Sequence, residues 1–193
     1  GYSLQTKASL AQARQEGLEA VRKVEQELGQ LTDQESGVVI DLFLSYRAVE
    51  AWDEIERLCL AVGDRETGGI LIGRYTTDRS TAIVFEAAPP PPDSHCGHST
   101  FIRGVVGLRE LLHHRWTSRK RRYYIGEWHF HPAEVLHPSS DDIQQMAVIA
   151  NARNYKCEQP ILLIVGLPSK AGLRRPTRVF VFPHSCPIEM ALV

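Results

Sequence analysis

The stretch Gly126-Glu127-Trp128-His129-Phe130-His131-Pro132, followed by Ser139-Ser140-Asp141-Asp142, decides how this sequence is read. Arg122 to His131 is a predicted strand. Alternate residues of a strand face the same way. His129 and His131 therefore point to one side with Glu127 beside them. Trp128 and Phe130 point to the other, where they pack behind the imidazoles and hold them still. Pro132 ends the strand, and the seven residues between His131 and Ser139 suffice to turn the chain back. Ser139 suits a helix N-cap, which predicts a helix from Ser139 to Asn154 with Asp142 in its first turn. Asp142 could then add an oxygen ligand to the two imidazoles. Asp141 takes that place if the turn differs by one residue. Three N/O ligands without cysteine leave a fourth tetrahedral position for water, the arrangement of a catalytic zinc rather than a structural one.

Outward from this stretch, strands and helices interleave. Val38 to Tyr46 reads as a strand, with Phe43 and Tyr46 favouring it. Arg47 to Val62 reads as a helix, with Val49, Trp52, Ile55, Leu58 and Val62 on one face. Gly69–Tyr75 and Thr81–Ala87 read as paired strands around a turn at Thr77 to Ser80. Pro89 to Pro92 excludes a helix interior or a sheet centre and predicts an extended surface loop. Phe101 to Trp116 reads as a helix weakened by Gly104 and Gly107. Ile161–Val165 and Arg178 to Phe182 read as late strands. The fold class is therefore α/β, a mixed sheet flanked by helices. Ahead of it, Thr6 to Leu31 reads as a helix with Val21, Val24, Leu28 and Leu31 as its stripe. It either packs on its own domain or docks a partner or a second copy. This divides the chain into an N-terminal helical extension, residues 1–36, and a main domain, residues 37–193.

Composition narrows the function. With 22 basic and 23 acidic residues the formal net charge is −1, so nothing in the total attracts nucleic acid or an anionic membrane. No apolar run is long enough to span a bilayer, and no secretory signal is visible. The chain opens at Gly1 rather than Met, which predicts a trimmed start and leaves a removed upstream segment open. Cys59, Cys96, Cys157 and Cys186 form no CxxC knuckle, which points to free thiols in a reducing cytoplasm. The run Arg115, Arg119, Lys120, Arg121, Arg122 reads as a solvated turn or as a face for an acidic partner. His95, Cys96 and His98 form a small cluster in which a second metal is conceivable, and His137 either lines the cleft or faces solvent.

A zinc-activated water needs a base, and the leaving amine needs an acid; one carboxylate can serve both in turn. Glu66, Glu86, Glu127 and Glu134 are the candidates, and local logic does not choose among them. Glu66 stands directly before Thr67-Gly68-Gly69-Ile70-Leu71-Ile72-Gly73, at the mouth of a strand with permissive glycines. Glu127 either hydrogen-bonds His129 from behind or is a polar rim residue.

Glu66 to Gly73, read as E-T-G-G-I-L-I-G, resembles the opening motif of the JAMM (MPN-plus) zinc metalloproteases. His129-x-His131, seven residues, Ser139, two residues and Asp142 match that family's H-x-H-x7-S-x-x-D pattern without gaps. The resemblance covers roughly Val38 to Phe182 and implies an MPN fold. It implies one Zn²⁺ per chain held by His129, His131 and Asp142, with Glu66 as general base and acid and Ser139 stabilising the oxyanion. Phe130 departs from the Ser or Thr that the family often has there. The wording G-E-W-H-x-H-P is similar to bacterial members that accompany ubiquitin-like conjugation, including antiphage systems. The implied activity is isopeptide or peptide hydrolysis after the tail of a ubiquitin-like protein. Its partners would be that protein or its conjugate and associated E1/E2-like enzymes. The tail would enter a groove walled by Pro89 to Phe101 and by the Glu134 to His137 loop. The alternatives are an inactive or partner-activated MPN scaffold and a peptidase trimming a sulfur-carrier precursor.

Overall fold

Interleaved strands and helices of this kind bury one face of each element on a shared sheet. The computed structural model describes residues 45–48, 51–78, 80–133, 136–157, 159–168, 175–183 and 186–192. The predicted helix at Thr6 to Leu31, the boundary at residue 36, most of the strand at Val38 to Tyr46 and the carboxylate Glu134 lie outside them. In chain order the elements are β1 (Ser45–Ala48), α1 (Ala51–Val62), β2 (Thr67–Tyr75), β3 (Thr81–Ala87), β4 (His95–Cys96) and β5 (Phe101–Ile102). They continue as α2 (Leu108–Thr117), β6 (Tyr123–Phe130), α3 (Ser140–Asn151), β7 (Ile161–Val165), β8 (Thr177–Val181), β9 (Ile188–Glu189) and β10 (Ala191–Leu192).

The main sheet has the order β10-β1-β3-β2-β6-β7-β8-β9. Its two ends, β9 and β10, are separated in the chain by Met190 alone. The run 188–192 thus hands its pairing from β8 to β1 and curls the sheet back on itself. Met190 anchors the crossing: its N–H donates to the Val179 carbonyl at 2.8 Å, and its side chain is buried. Inside the curl, α1 inserts Ala51, Ile55 and Cys59 against Leu71, Val84, Ile125, Trp128, Phe130 and Leu163. Outside it, α2 and α3 cover Ile70, Ile72, Ile164 and Phe180. With both faces covered, β7 is the unbroken apolar run Ile161-Leu162-Leu163-Ile164-Val165, buried throughout.

Two differences from the sequence reading have physical causes. The helix predicted over Phe101 to Trp116 is confined to Leu108–Thr117. Gly107 at φ 82 starts it, and Phe101–Ile102 pairs instead with His95–Cys96. Asp93 fixes this loop by accepting the N–H groups of Val105 and Val106 at 3.0 Å each. The helix predicted from Arg47 begins at Ala51, because Arg47 and Ala48 pair in register with Ile83 and Val84.

Candidate metal centre

The centre lies where β2 begins and β6 ends. The two strands are antiparallel, with Thr67 opposite Phe130 and Gly68 opposite His129. Glu66 directly precedes Thr67, and His131 directly follows Phe130, at this end of the ladder. A bulge in β6 sets which side chains share the outer face. Register slips between Leu71–Gly126 and Ile72–Tyr124, leaving Ile125 as the extra residue. Gly126 sits there at φ 154, and a Cβ would lie 1.9 Å from the Ile161 carbonyl oxygen, so only glycine fits. After the bulge, Trp128 and Phe130 face the inner core at 0% exposure, as the alternation predicted, and Glu127 and His129 face outward. Behind Phe130, the buried Arg175 guanidinium stacks 5.0 Å from the ring centroid.

Ser139 caps α3 as predicted. Its hydroxyl accepts from the Asp142 N–H at 3.1 Å, while its own N–H and O–H both donate to Asp142 Oδ2 at 2.7 Å. This capping box turns the Asp142 carboxylate toward the histidines. Asp142 Oδ1 lies 2.6 Å from His129 Nδ1, and Oδ2 lies 3.5 Å from His131 Nε2. Asp141 is exposed, and Asp142 is the aspartate grouped with the two histidines. His129 is buried and His131 12% exposed. Phe101 from the β5 wall sets its ring edge-on to His129 at 5.2 Å, in the space that Gly68 leaves by having no Cβ.

The donor set suits a divalent ion. One ligand atom from each of His129, His131 and Asp142 lies within 4.8 Å of the others. Tetrahedral zinc with N/O ligands at about 2.1 Å needs ligand atoms roughly 3.4 Å apart, so the trio closes on an ion with shifts below about 1 Å. Two nitrogens and one oxygen are the chemistry of a zinc site with an open position. In the metal-free chain, burial works against charge on His129, but the pull of Asp142 and Glu127 outweighs it and lifts its pKa to about 9. Burial likewise opposes charge on Asp142, but its bonds to His129 and Ser139 hold it at about 2. Burial and the neighbouring His129 charge lower His131, which leaves its imidazole neutral and ready to ligate.

The four carboxylates now separate. Glu86 is held by Arg115 in a two-bond clamp, Nε to Oε2 at 2.6 Å and Nη2 to Oε1 at 2.8 Å, on the far side of α2. Glu127 accepts from Arg103 Nε at 2.8 Å, Gln145 Nε2 at 2.9 Å and Tyr124 O–H at 3.3 Å. Glu134 lies outside the described residues. Glu66 has its N–H on the Gly97 carbonyl at 2.7 Å, and among the described residues its half-buried carboxylate has no hydrogen-bond partner. Burial and the charge of Asp142 raise its pKa, against the opposing pull of His129. A free carboxylate with a raised pKa, in electrostatic reach of the ligand trio, has the properties of a general base that later returns its proton.

The remaining expectations fall elsewhere. Among the described residues, His129, His131 and Asp142 are the one group able to hold a metal. His98 pairs instead with Asp64 at 3.5 Å, and Cys96 Sγ rests 3.9 Å from Thr67 Oγ1. His137 is exposed and contacts Arg178 at 2.5 Å. Arg121 and Arg122 of the basic run lie over the rings of Trp116 and Phe85. The four cysteines are free, and burial pushes the Cys59 thiol up to about 12. No helix among the described residues is long and apolar enough to cross a membrane. Sequence reasoning missed Arg103 and Gln145; neither stands in a motif, and only the fold brings them to Glu127.

The site is a His-His-Asp set held between the end of a strand and a capped helix on a curled mixed sheet. Residues 48–179 match the family described as prokaryotic homologs of the JAB domain, and the chain belongs to that family. A relative from Enterobacter hormaechei subsp. hoffmannii (strain UCI 50), named CD-NTase/cGAS isopeptidase, is 43% identical over 145 residues, spanning 75% of this chain and 78% of its own. A second protein of that name, from Escherichia coli (strain TW11681), is 32% identical over 111 residues, spanning 52% and 62%. A solved protein from Desulfitobacterium hafniense superposes with a TM-score of 0.48 at 18% identity, covering 78% of this chain and 91% of its own.

Proposed function

We propose that this chain is a zinc-dependent isopeptidase of the JAMM type, working in a bacterial antiphage conjugation system in the cytoplasm. The observation that carries the reading is the buried trio His129, His131 and Asp142 with an unengaged Glu66 beside it. The relatives' name points to a CD-NTase/cGAS protein as the conjugated partner, in the place the sequence reading gave to a generic ubiquitin-like protein. E1/E2-like enzymes would make the bond that this chain cuts.

When bound, zinc supplies Lewis-acid polarisation and acidifies water at the open position. Glu66 takes the proton from the attacking water and passes it to the leaving lysine amine. Phe101 and the loop behind it exclude bulk water from one side. Ser139 stabilises the oxyanion once its O–H leaves Asp142, which it bonds in the metal-free chain. A candidate bed for an extended tail is an open groove of about 370 Å³ lined by Arg103, Asp141, Gln144, Gln145, Val148 and Tyr155, which includes neither the Pro89 to Phe101 wall nor the Glu134 to His137 wall. The complete ligand trio speaks against the scaffold alternative.

The test is zinc content measured beside cleavage of a CD-NTase conjugate, with and without a chelator. About one zinc per chain and chelator-sensitive release of the CD-NTase are expected. Zinc-free protein that is catalytically silent would overturn the enzyme reading in favour of a scaffold. Cleavage of a short precursor tail with the conjugate left intact would favour the trimming peptidase.

A further inference from the structure

Glu127 has no exposed surface, and a carboxylate is costly to bury unless its lone pairs are satisfied. Its two oxygens are unequally served. Oε1 accepts from Arg103 Nε and Tyr124 O–H, whereas Oε2 accepts from Gln145 Nε2 alone. Each carboxylate oxygen can accept about two hydrogen bonds, so Oε2 has capacity to spare. The group facing Oε2, at 3.7 Å, is His129 Nε2. That atom is buried and has no hydrogen-bond partner, one of two such side-chain atoms among the described residues. An unpaired buried nitrogen and an under-used buried oxygen thus face each other across a gap slightly longer than a hydrogen bond.

The two ring nitrogens of His129 are divided between two carboxylates. Nδ1 faces Asp142 and the ligand trio, and Nε2 faces away from it toward Glu127. A neutral imidazole carries one proton and one lone pair. If Nδ1 is to offer its lone pair to an ion, the proton must sit on Nε2, and among the described residues Glu127 is the acceptor that faces it. Arg103, which clamps Glu127, is the residue after Ile102 and is itself held by the Tyr155 hydroxyl at 2.9 Å. It therefore ties the β5 wall, whose Phe101 touches His129, to the same carboxylate.

Resting on the zinc reading above, we propose that Glu127 is a positioning residue: it receives the His129 Nε2 proton, fixes the ring with Nδ1 toward the ion, and through Arg103 sets the β5 wall against it. The rival account is a buried ion pair that staples β5 to β6 and leaves the metal indifferent.

The decisive measurement is a long-range proton–nitrogen correlation of the imidazoles in the ¹⁵N-labelled, zinc-loaded full chain. The expected result is a proton on His129 Nε2 and a metal-shifted Nδ1. A proton on Nδ1 with zinc bound through Nε2 overturns the assignment to Glu127 and leaves the zinc reading standing. Failure of the chain to bind zinc at all overturns both. A second measurement is zinc affinity by competition with a chromophoric chelator. The paired substitution Glu127→Met with Arg103→Met removes the acceptor without stranding a charge and should weaken zinc roughly ten- to hundredfold. Glu127→Gln with Arg103→Gln restores an acceptor oxygen and should recover part of that loss. Affinity unchanged in the Met pair would reduce Glu127 to a staple. Should that pair fail to fold, the measurement on the unsubstituted chain still decides.

Discussion

The mouth of β2 and the outer face of β6 each bring one carboxylate within electrostatic reach of His129, and they treat it in opposite ways. Glu127 on β6 is fully buried and engaged by a guanidinium, an amide and a phenol. Glu66 at the start of β2 is half-buried, and burial together with Asp142 raises its pKa. The difference follows from where each strand runs. β6 passes under α3 and the β5 wall, which supply donors. β2 only begins after Glu66, so the Glu66 carboxylate stays half-exposed. A clamped carboxylate holds geometry, and a free one can move a proton.

The largest effect should come from the free carboxylate. Glu66→Gln removes the base without changing shape and should slow hydrolysis about 10³-fold, some 4 kcal/mol in the barrier. Zinc stoichiometry and melting temperature should be unaffected. Turnover near the unsubstituted rate would move the proton-transfer role to another group and end the contrast between the two carboxylates. The clamped carboxylate should answer in stability instead. Arg103→Met strands a buried charge and should cost about 3 kcal/mol in chemical denaturation. A loss well below about 1 kcal/mol would mean that Gln145 and Tyr124 satisfy Glu127 unaided.

Much of this was legible in the sequence because strand alternation and helix capping are local rules. His129 and His131 on one face, Trp128 and Phe130 behind them, and Asp142 swung in by the Ser139 cap all follow from residues a few positions apart. The β5 wall was not legible. Phe101 to Trp116 has enough helical pattern to read as one helix, and its first part is held as a loop by distant residues, Asp93 through the Val105 and Val106 N–H groups and His95–Cys96 through strand pairing. Two of the partners of Glu127 come from distant parts of the chain, Arg103 just after β5 and Gln145 on α3, so no spacing announces them. The bulge at Gly126 was equally hidden, since a single glycine in a strand does not say which neighbour needs the space.

The pH dependence sharpens the contrast from the metal's side. The His129 pKa is raised from 6.5 to about 9, so in the metal-free chain its stabilising charge is fully present below pH 6.5 and is lost as pH rises through about 9. The Asp142 pKa is depressed from 3.8 to about 2, so its contribution is present above pH 3.8 and lost as pH falls through about 2. The His129–Asp142 pair by itself therefore favours folding most between pH 3.8 and pH 6.5, while the lowered His131 pKa works against folding below pH 6.5. Zinc must displace the His129 proton, so its apparent affinity should climb with pH, by up to about tenfold per unit, and level off near pH 9. Calorimetry in buffers of different ionisation enthalpy would count the released proton. An affinity flat between pH 6.5 and pH 9 would mean that His129 gives up no proton to the ion.

The smallest effect belongs to the third carboxylate, and it calibrates the other two. Glu86 is clamped by Arg115 with two short bonds, where Glu127 takes one from Arg103, yet the Glu86 and Arg115 side chains keep a quarter or more of their surface in water. Solvent screens such a pair and competes for its donors, so Arg115→Ala should cost only about 0.5 to 1 kcal/mol of stability. It lies on the far side of α2 and should leave zinc affinity and turnover untouched. Because Arg115 makes two bonds to Glu86 and Arg103 only one to Glu127, a larger Arg103 loss would come from burial and not from bond number. Equal losses would mean that water reaches Glu127 in solution, and the rigid outer face of β6, on which its positioning role depends, would have to be given up.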